Sequence, residues 1–210
     1  MTRAVVFAAV AALALLGASC DSSSGPIYPM TLGSVWNTDE VTLYGTTAAS
    51  LDTVTTGSQT NTALDKVNLS SGREVVRFRS DVTTHYRDGD STTTTTDYFC
   101  AAEVGDTIFY YANLDDTAGT IYMMANPAAG QTWSAGIGTA TVVGQENVTV
   151  PAGTYKGAWK VKLSFNLGLV SGDVYEWFAR GTGLVKMYAV TTSTGFQSTS
   201  SSELTSATIK

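Results

Sequence analysis

Alternation of apolar and polar residues is the strongest signal in this chain, and it is clearest from Val148 to Phe165. Trp159, Val161, Leu163 and Phe165 fall on one face and Lys160, Lys162, Ser164 and Asn166 on the other, the period of two that marks a half-buried strand. Pro151 and Gly153 punctuate the entry, so the stretch reads as strand, turn, strand. Weaker alternation runs through Glu74–Thr84, with Val76 and Phe78 inward, and through Ser91–Val104, Thr107–Asn113 and Ile121–Ala125. Thr139–Val150 reads as a long strand kinked at Gly144, and Leu184–Thr191 as a later one. Asp88-Gly89-Asp90, Gly105-Asp106 and Arg180–Gly183 supply short turns, and strands joined so closely must be antiparallel. Val174–Ala179 is apolar on both faces and is predicted to be central. Asp52–Val67, Thr-rich and weakly patterned, is expected to be an exposed hairpin, and the Ser-rich Phe196–Ile209 an edge strand. The fold class predicted is all-β: an antiparallel meander forming a curved sheet, half-barrel or sandwich of about ten strands, with no long helix after the first 19 residues.

The N-terminus is patterned differently. Arg3 precedes an unbroken apolar run from Ala4 to Leu16, then Gly17, Ala18 and Ser19 before Cys20. This is the layout of a secretion signal, too short to span a bilayer, which takes about 20 apolar residues. Residues 1–19 are assigned to the signal, 20–26 to a flexible linker and 27–210 to a single β domain. Composition agrees: 43% of residues are hydrophobic, enough for a core, and only 14% are charged. The formal net charge of −6 argues against a nucleic-acid partner, which needs clustered Lys and Arg.

Candidate chemistry is sparse. His85, the single histidine, sits beside a polar turn with no nucleophile-elbow motif in the chain, so Ser-His-Asp hydrolysis is disfavoured. One histidine and few cysteines cannot supply a zinc site, and Asp88 with Asp90 offers too few oxygens for calcium. Paired carboxylates for glycoside chemistry could come from Glu146, Asp173 or Glu176. No enzyme activity, metal or cofactor is predicted. Trp36, Trp133, Trp159 and Trp177 are either core plugs or the lining of an apolar ligand pocket. Cys100, in Tyr98-Phe99-Cys100-Ala101-Ala102, reads as a small buried hydrophobe, or as the partner of Cys20 in a disulfide.

Ala18-Ser19-Cys20 resembles the bacterial lipoprotein signal, in which the cysteine following cleavage is acylated, although Gly17 stands where that signal usually has Leu. The alternative is ordinary cleavage nearby, leaving a plain thiol. Three longer landmarks, Tyr28–Trp36 (with Met30 where the motif has Leu), Val150–Tyr155 and Trp177–Lys186, resemble those of a broad group of secreted bacterial lipoproteins of unknown function. That resemblance implies lipidation at Cys20, a membrane partner through the anchor, and a place in the cell envelope. It transfers no catalytic residue. Two functions follow as expectations: binding of an apolar ligand or acyl chain in an aromatic-lined β half-barrel, or a structural or envelope-protein interaction role with a solid core.

Overall fold

The computed structural model describes residues 19–21, 24–87 and 91–210. The rest of the predicted signal and the Asp88–Asp90 turn lie outside the described residues. Strands run in the order β1 (Ser19–Asp21), β2 (Val35–Gly45), β3 (Asp52–Asn68), β4 (Glu74–Tyr86), β5 (Ser91–Val104), β6 (Thr107–Tyr111) and β7 (Thr120–Met124). They continue as β8 (Thr132–Ser134), β9 (Gly138–Val150), β10 (Gly153–Asn166), β11 (Val170–Ala179), β12 (Gly183–Ser193) and β13 (Phe196–Thr208). Apart from a single 3-10 turn at Ala48–Ser50, the described residues form strands and loops.

All of these strands belong to one sheet, in the order β7-β6-β5-β4-β3-β2-β13-β12-β11-β10-β9-β8, with β1 added in parallel beside β10. The meander is therefore antiparallel, as the short connections require. The first strand of the domain, β2, pairs with the last, β13, which rolls two successive six-strand runs into one nearly closed barrel. β7 and β8 form its edges. Strand length sets the height of the wall: β3 has 17 residues and β4 has 13, whereas β7 has five and β8 three. At about 3.3 Å per residue the wall is tall on one side and low at the β7/β8 seam.

Two sequence expectations are corrected. Asp52–Val67 is not a hairpin but most of β3, paired along its length with β2 and β4. Phe196–Ile209 is not an edge but lies between β12 and β2. Both strands look solvated in the sequence because the barrel wall they form is polar on its inner face as well as its outer one. Elsewhere the patterning carries through. Trp159, Val161, Leu163 and Phe165 share the inner face of β10, and the kink expected at Gly144 coincides with a register shift against β10 and a φ of 149°.

Residues Ile27–Met30 lie across one end of the barrel as a plug. The Tyr28 ring meets Phe78 of β4 at 6.0 Å and Tyr122 of β7 edge-on at 5.5 Å, while the Pro26 carbonyl accepts from the Gly181 N–H at 2.7 Å. Gly183 is favoured in that corner because its φ is 96°, a conformation other residues rarely adopt. Around the plug pack Phe78, Phe178, Ile108, Met123, Val161 and Leu204, all essentially inaccessible. On the outside, the β9–β10 hairpin tip folds back over the sheet. Its Ala152 N–H donates to the Leu204 carbonyl at 2.9 Å, and Val148, Val150 and Tyr155 join Trp177 and Val185 in one buried cluster.

Candidate functional site

Above the plug the barrel interior is not filled. A cavity of about 270 Å³ is walled by Tyr28, Trp36, Phe99, Tyr110, Tyr122 and Glu176, among others. A second chamber of about 160 Å³ shares Tyr110, Tyr122 and Glu176 with it and reaches Thr120, Ile121 and Ala135 at the low seam. Strand parity explains the lining. Trp36 and Thr38 of β2 stand opposite Asn61 and Gln59 of β3, and Glu176 of β11 stands between Val161 of β10 and Met187 of β12. The first six strands thus contribute a polar arc as well as rings, and the last six contribute aliphatic side chains and one carboxylate.

The rings are mutually supported. Phe99 stacks on Phe78 at 4.9 Å and on Tyr110 at 5.4 Å, and Trp36 is held by its indole N–H donating to the Thr182 carbonyl at 2.5 Å. In the polar arc the Gln59 amide donates to Ser80 Oγ at 2.7 Å and to Asn61 Oδ1 at 3.3 Å. The Thr38 hydroxyl, buried in the wall, makes no hydrogen bond.

Glu176 is the outstanding group. Its Oε1 accepts from the Tyr122 hydroxyl at 3.3 Å; the surface it exposes is cavity wall. Burial away from bulk water pushes its carboxyl up to about 7, against a smaller lowering by the Tyr122 hydrogen bond. Burial likewise raises the Tyr122 and Tyr28 hydroxyls, and the nearby Glu176 charge adds to both. The Tyr110 hydroxyl is raised by burial first, then by Asp116 and Asp97. Glu40, two residues beyond Thr38 on the same face of β2, is raised by burial too.

The four tryptophans do not assemble into one site. Trp36 lines the cavity; Trp133 and Trp159 pack in the cluster around Phe178 and Ile108, each with its indole N–H buried and unpartnered. Trp177 faces outward beneath the β9–β10 tip, donating to Glu146 at 2.6 Å with Lys160 above its ring at 4.9 Å. The three candidate carboxylates are divided by the sheet. Asp173 pairs with Lys162 and Glu146 with Lys160, both on the outer face, and of the three Glu176 alone points inward. His85 hydrogen-bonds Thr92 on exposed strand surface. Cys100 is a free, buried thiol raised by burial. Cys20 is placed only by its backbone, opposite Tyr155 of β10.

Sequence reasoning missed Tyr28, Thr38, Gln59, Asn61, Phe99, Tyr110 and Tyr122 as neighbours. One signal was present: Glu176 is the lone carboxylate in the apolar run Val174-Tyr175-Glu176-Trp177-Phe178-Ala179, and such a residue is either paired, neutralised or facing a cavity.

Comparison with known proteins is informative about fold. A family model described as DUF3108-like matches residues 79–201. The search of curated proteins finds no match. Among solved structures, a presumed lipoprotein from Parabacteroides distasonis aligns with TM-score 0.53 and 16% identity, covering 88% of this chain and 99% of its own. A presumed exported protein with a YmcC-like fold from Bacteroides fragilis aligns with TM-score 0.51 and 16% identity, covering 88% of this chain and 100% of its own. At that identity the likeness establishes the shared barrel and nothing more.

Proposed function

The chain belongs to the DUF3108-like family, and from that premise we propose that it is a lipid-anchored protein of the bacterial cell envelope whose barrel binds a small apolar ligand. The observation that carries the binding half is the aromatic cavity of about 270 Å³ above a tightly packed plug. Together with the adjoining chamber of about 160 Å³ it falls in the lower part of the roughly 300–1,000 Å³ range of small-molecule sites, and it has their usual make-up of apolar walls with a few convergent polar groups. The low β7/β8 seam is the entrance. The anchoring half rests on the signal before Cys20 and on the presumed lipoprotein and exported character of the two structural neighbours. Acylation at Cys20 gives the membrane contact, and several acyl chains make it stable where a single one would not. Two observations support binding over catalysis: the candidate carboxylates are split between the two faces of the sheet, and His85 stands apart from the cavity.

Two measurements test this. Detergent partitioning of the wild type and Cys20→Ala is expected to send only the wild type into the detergent phase; both remaining aqueous removes the anchor. Titration with an environment-sensitive acyl-chain fluorophore is expected to saturate, and Ser202→Leu, which fills the cavity wall, should weaken binding about tenfold, the cost of one misplaced side-chain contact. Absence of saturable binding up to the probe's solubility limit would return the structural or envelope-protein interaction role.

A further inference from the structure

The charged groups around the cavity are acidic. Glu176 forms part of both chambers, Glu40 continues the inner face of β2, and Asp97 and Asp116 act on the Tyr110 hydroxyl. Among the described residues, no Lys, Arg or His lines either chamber. The cations of the neighbouring strands are turned outward and paired there: Lys160 with Glu146, Lys162 with Asp173, Lys186 with Glu203 and Arg77 with Asp65. A carboxylate kept from water with one phenol as its partner is poorly compensated. The Thr38 hydroxyl, buried in the same wall, is a further polar group with no hydrogen-bond partner among the described residues.

The rings around Glu176 have a matching preference. Tyr28, Trp36, Phe99, Tyr110 and Tyr122 surround the same space, and aromatic faces attract cations, most strongly where water is excluded. This chain already uses that chemistry outside the barrel, where Lys160 lies 4.9 Å from the Trp177 ring centroid and 5.3 Å from that of Tyr175. Among the described residues no lysine lies over the inner rings.

Building on the reading of the barrel as an apolar-ligand binder, we propose that its ligand carries a protonated or quaternary amine, held between the Glu176 carboxylate and the Tyr28–Tyr122–Tyr110 rings, with a short apolar tail along Val161, Leu163 and Val174. An ammonium compensates the buried carboxylate and meets the ring faces together. A fatty-acid head group would instead place a second anion beside Glu176 with no cation to offset it, so the cavity discriminates by charge between tails of equal length.

The test is calorimetric titration of the processed protein in lipid nanodiscs, with empty nanodiscs as blank, using hexyltrimethylammonium, hexylamine, hexanol and hexanoate. The two amines are expected to bind about tenfold or more tightly than hexanol, with hexanoate weakest. Glu176→Gln should remove that advantage, so that the cationic ligands bind no more tightly than hexanol, while Glu176→Asp should keep part of it. Hexanol or hexanoate binding as well as the amines, or an amine preference that survives Glu176→Gln, overturns the ammonium site and leaves the barrel as a binder of apolar tails. No saturation by any of the four overturns both. Should Glu176→Gln fail to fold by circular dichroism, the wild-type ranking of the four ligands decides.

Discussion

The two six-strand runs of the barrel begin alike and differ in what they present inward. Each opens with a Gly-x-x-Trp segment, Gly33–Trp36 entering β2 and Gly130–Trp133 entering β8, and both glycines hold positive φ, 80° and 82°. Thereafter the inner wall of the first run carries a hydrophilic arc, Thr38, Glu40, Gln59, Asn61 and Ser80, beside its rings and the core residues Phe78, Ile108 and Met123. That of the second is Val142, Trp159, Val161, Leu163, Val174 and Phe178. Both runs supply the packing that holds the sheet, and the polar arc of the first leaves hydrogen-bonding groups for a guest. Packing is thus shared by the two runs while the hydrogen-bonding groups lie mainly on one, which is how a barrel can carry a cavity without losing its core.

The contrast can be broken most severely at Phe178, inaccessible in β11. Phe178→Ala is expected to lower the unfolding free energy by about 3–5 kcal/mol, read from denaturant midpoints, whereas Gln59→Ala on the opposite wall should cost about 1 kcal/mol, the net worth of its hydrogen bonds. Equal losses at the two positions would erase the division of labour.

Glu176 puts a charge into the apolar half and provides the next largest effect. Its carboxyl rises from 4.5 to about 7 on folding, so between those values the folded state holds the extra proton and stability falls as pH rises. The contribution is fully present below about pH 4.5 and gone above about pH 7, up to about 3 kcal/mol in all. The titratable groups facing it are the Tyr122 and Tyr28 hydroxyls, both raised, which stay neutral through this window. Glu176→Gln should therefore be more stable than wild type at pH 8 and close to it at pH 4.5; parallel stability curves for the two proteins would place the carboxylate in water.

The smallest change sharpens the comparison from the polar side. Thr38→Val removes a buried hydroxyl that makes no hydrogen bond and should leave stability unchanged or raise it by about 1 kcal/mol. A loss of that size in thermal melts would reveal a partner for the hydroxyl. Improved hydrogen bonding is not available to valine, so the sign alone is decisive.

Legibility followed the contrast between each strand's two faces. Strands with one face apolar and the other polar could be read directly: β9, the Pro151-Ala152 turn and β10 stand where alternation put them, and the Gly144 kink is a register shift. In the first run β3 presents Thr, Gln and Asn to the interior and Thr and Ser to solvent, so no period of two survives and one long strand reads as a hairpin. β13, with its serines on both faces, reads as an edge for the same reason. The site was hidden by a different cause: Tyr28, Gln59, Phe99, Tyr110, Tyr122 and Glu176 are scattered over 149 positions, and only the closure of β2 onto β13 brings them round one space.

The sequence by itself determined the all-β class, the antiparallel meander, its turns, and the signal-like segment before Cys20, because side-chain alternation and turn chemistry act between near neighbours. Tertiary structure alone decided that the two runs meet as a barrel, that Trp177 faces outward while Glu176 faces in, and that rings and carboxylate surround a cavity instead of filling it. Those outcomes depend on sheet curvature, strand length at the seam and packing volume, which are sums over residues far apart in the chain and leave no local pattern.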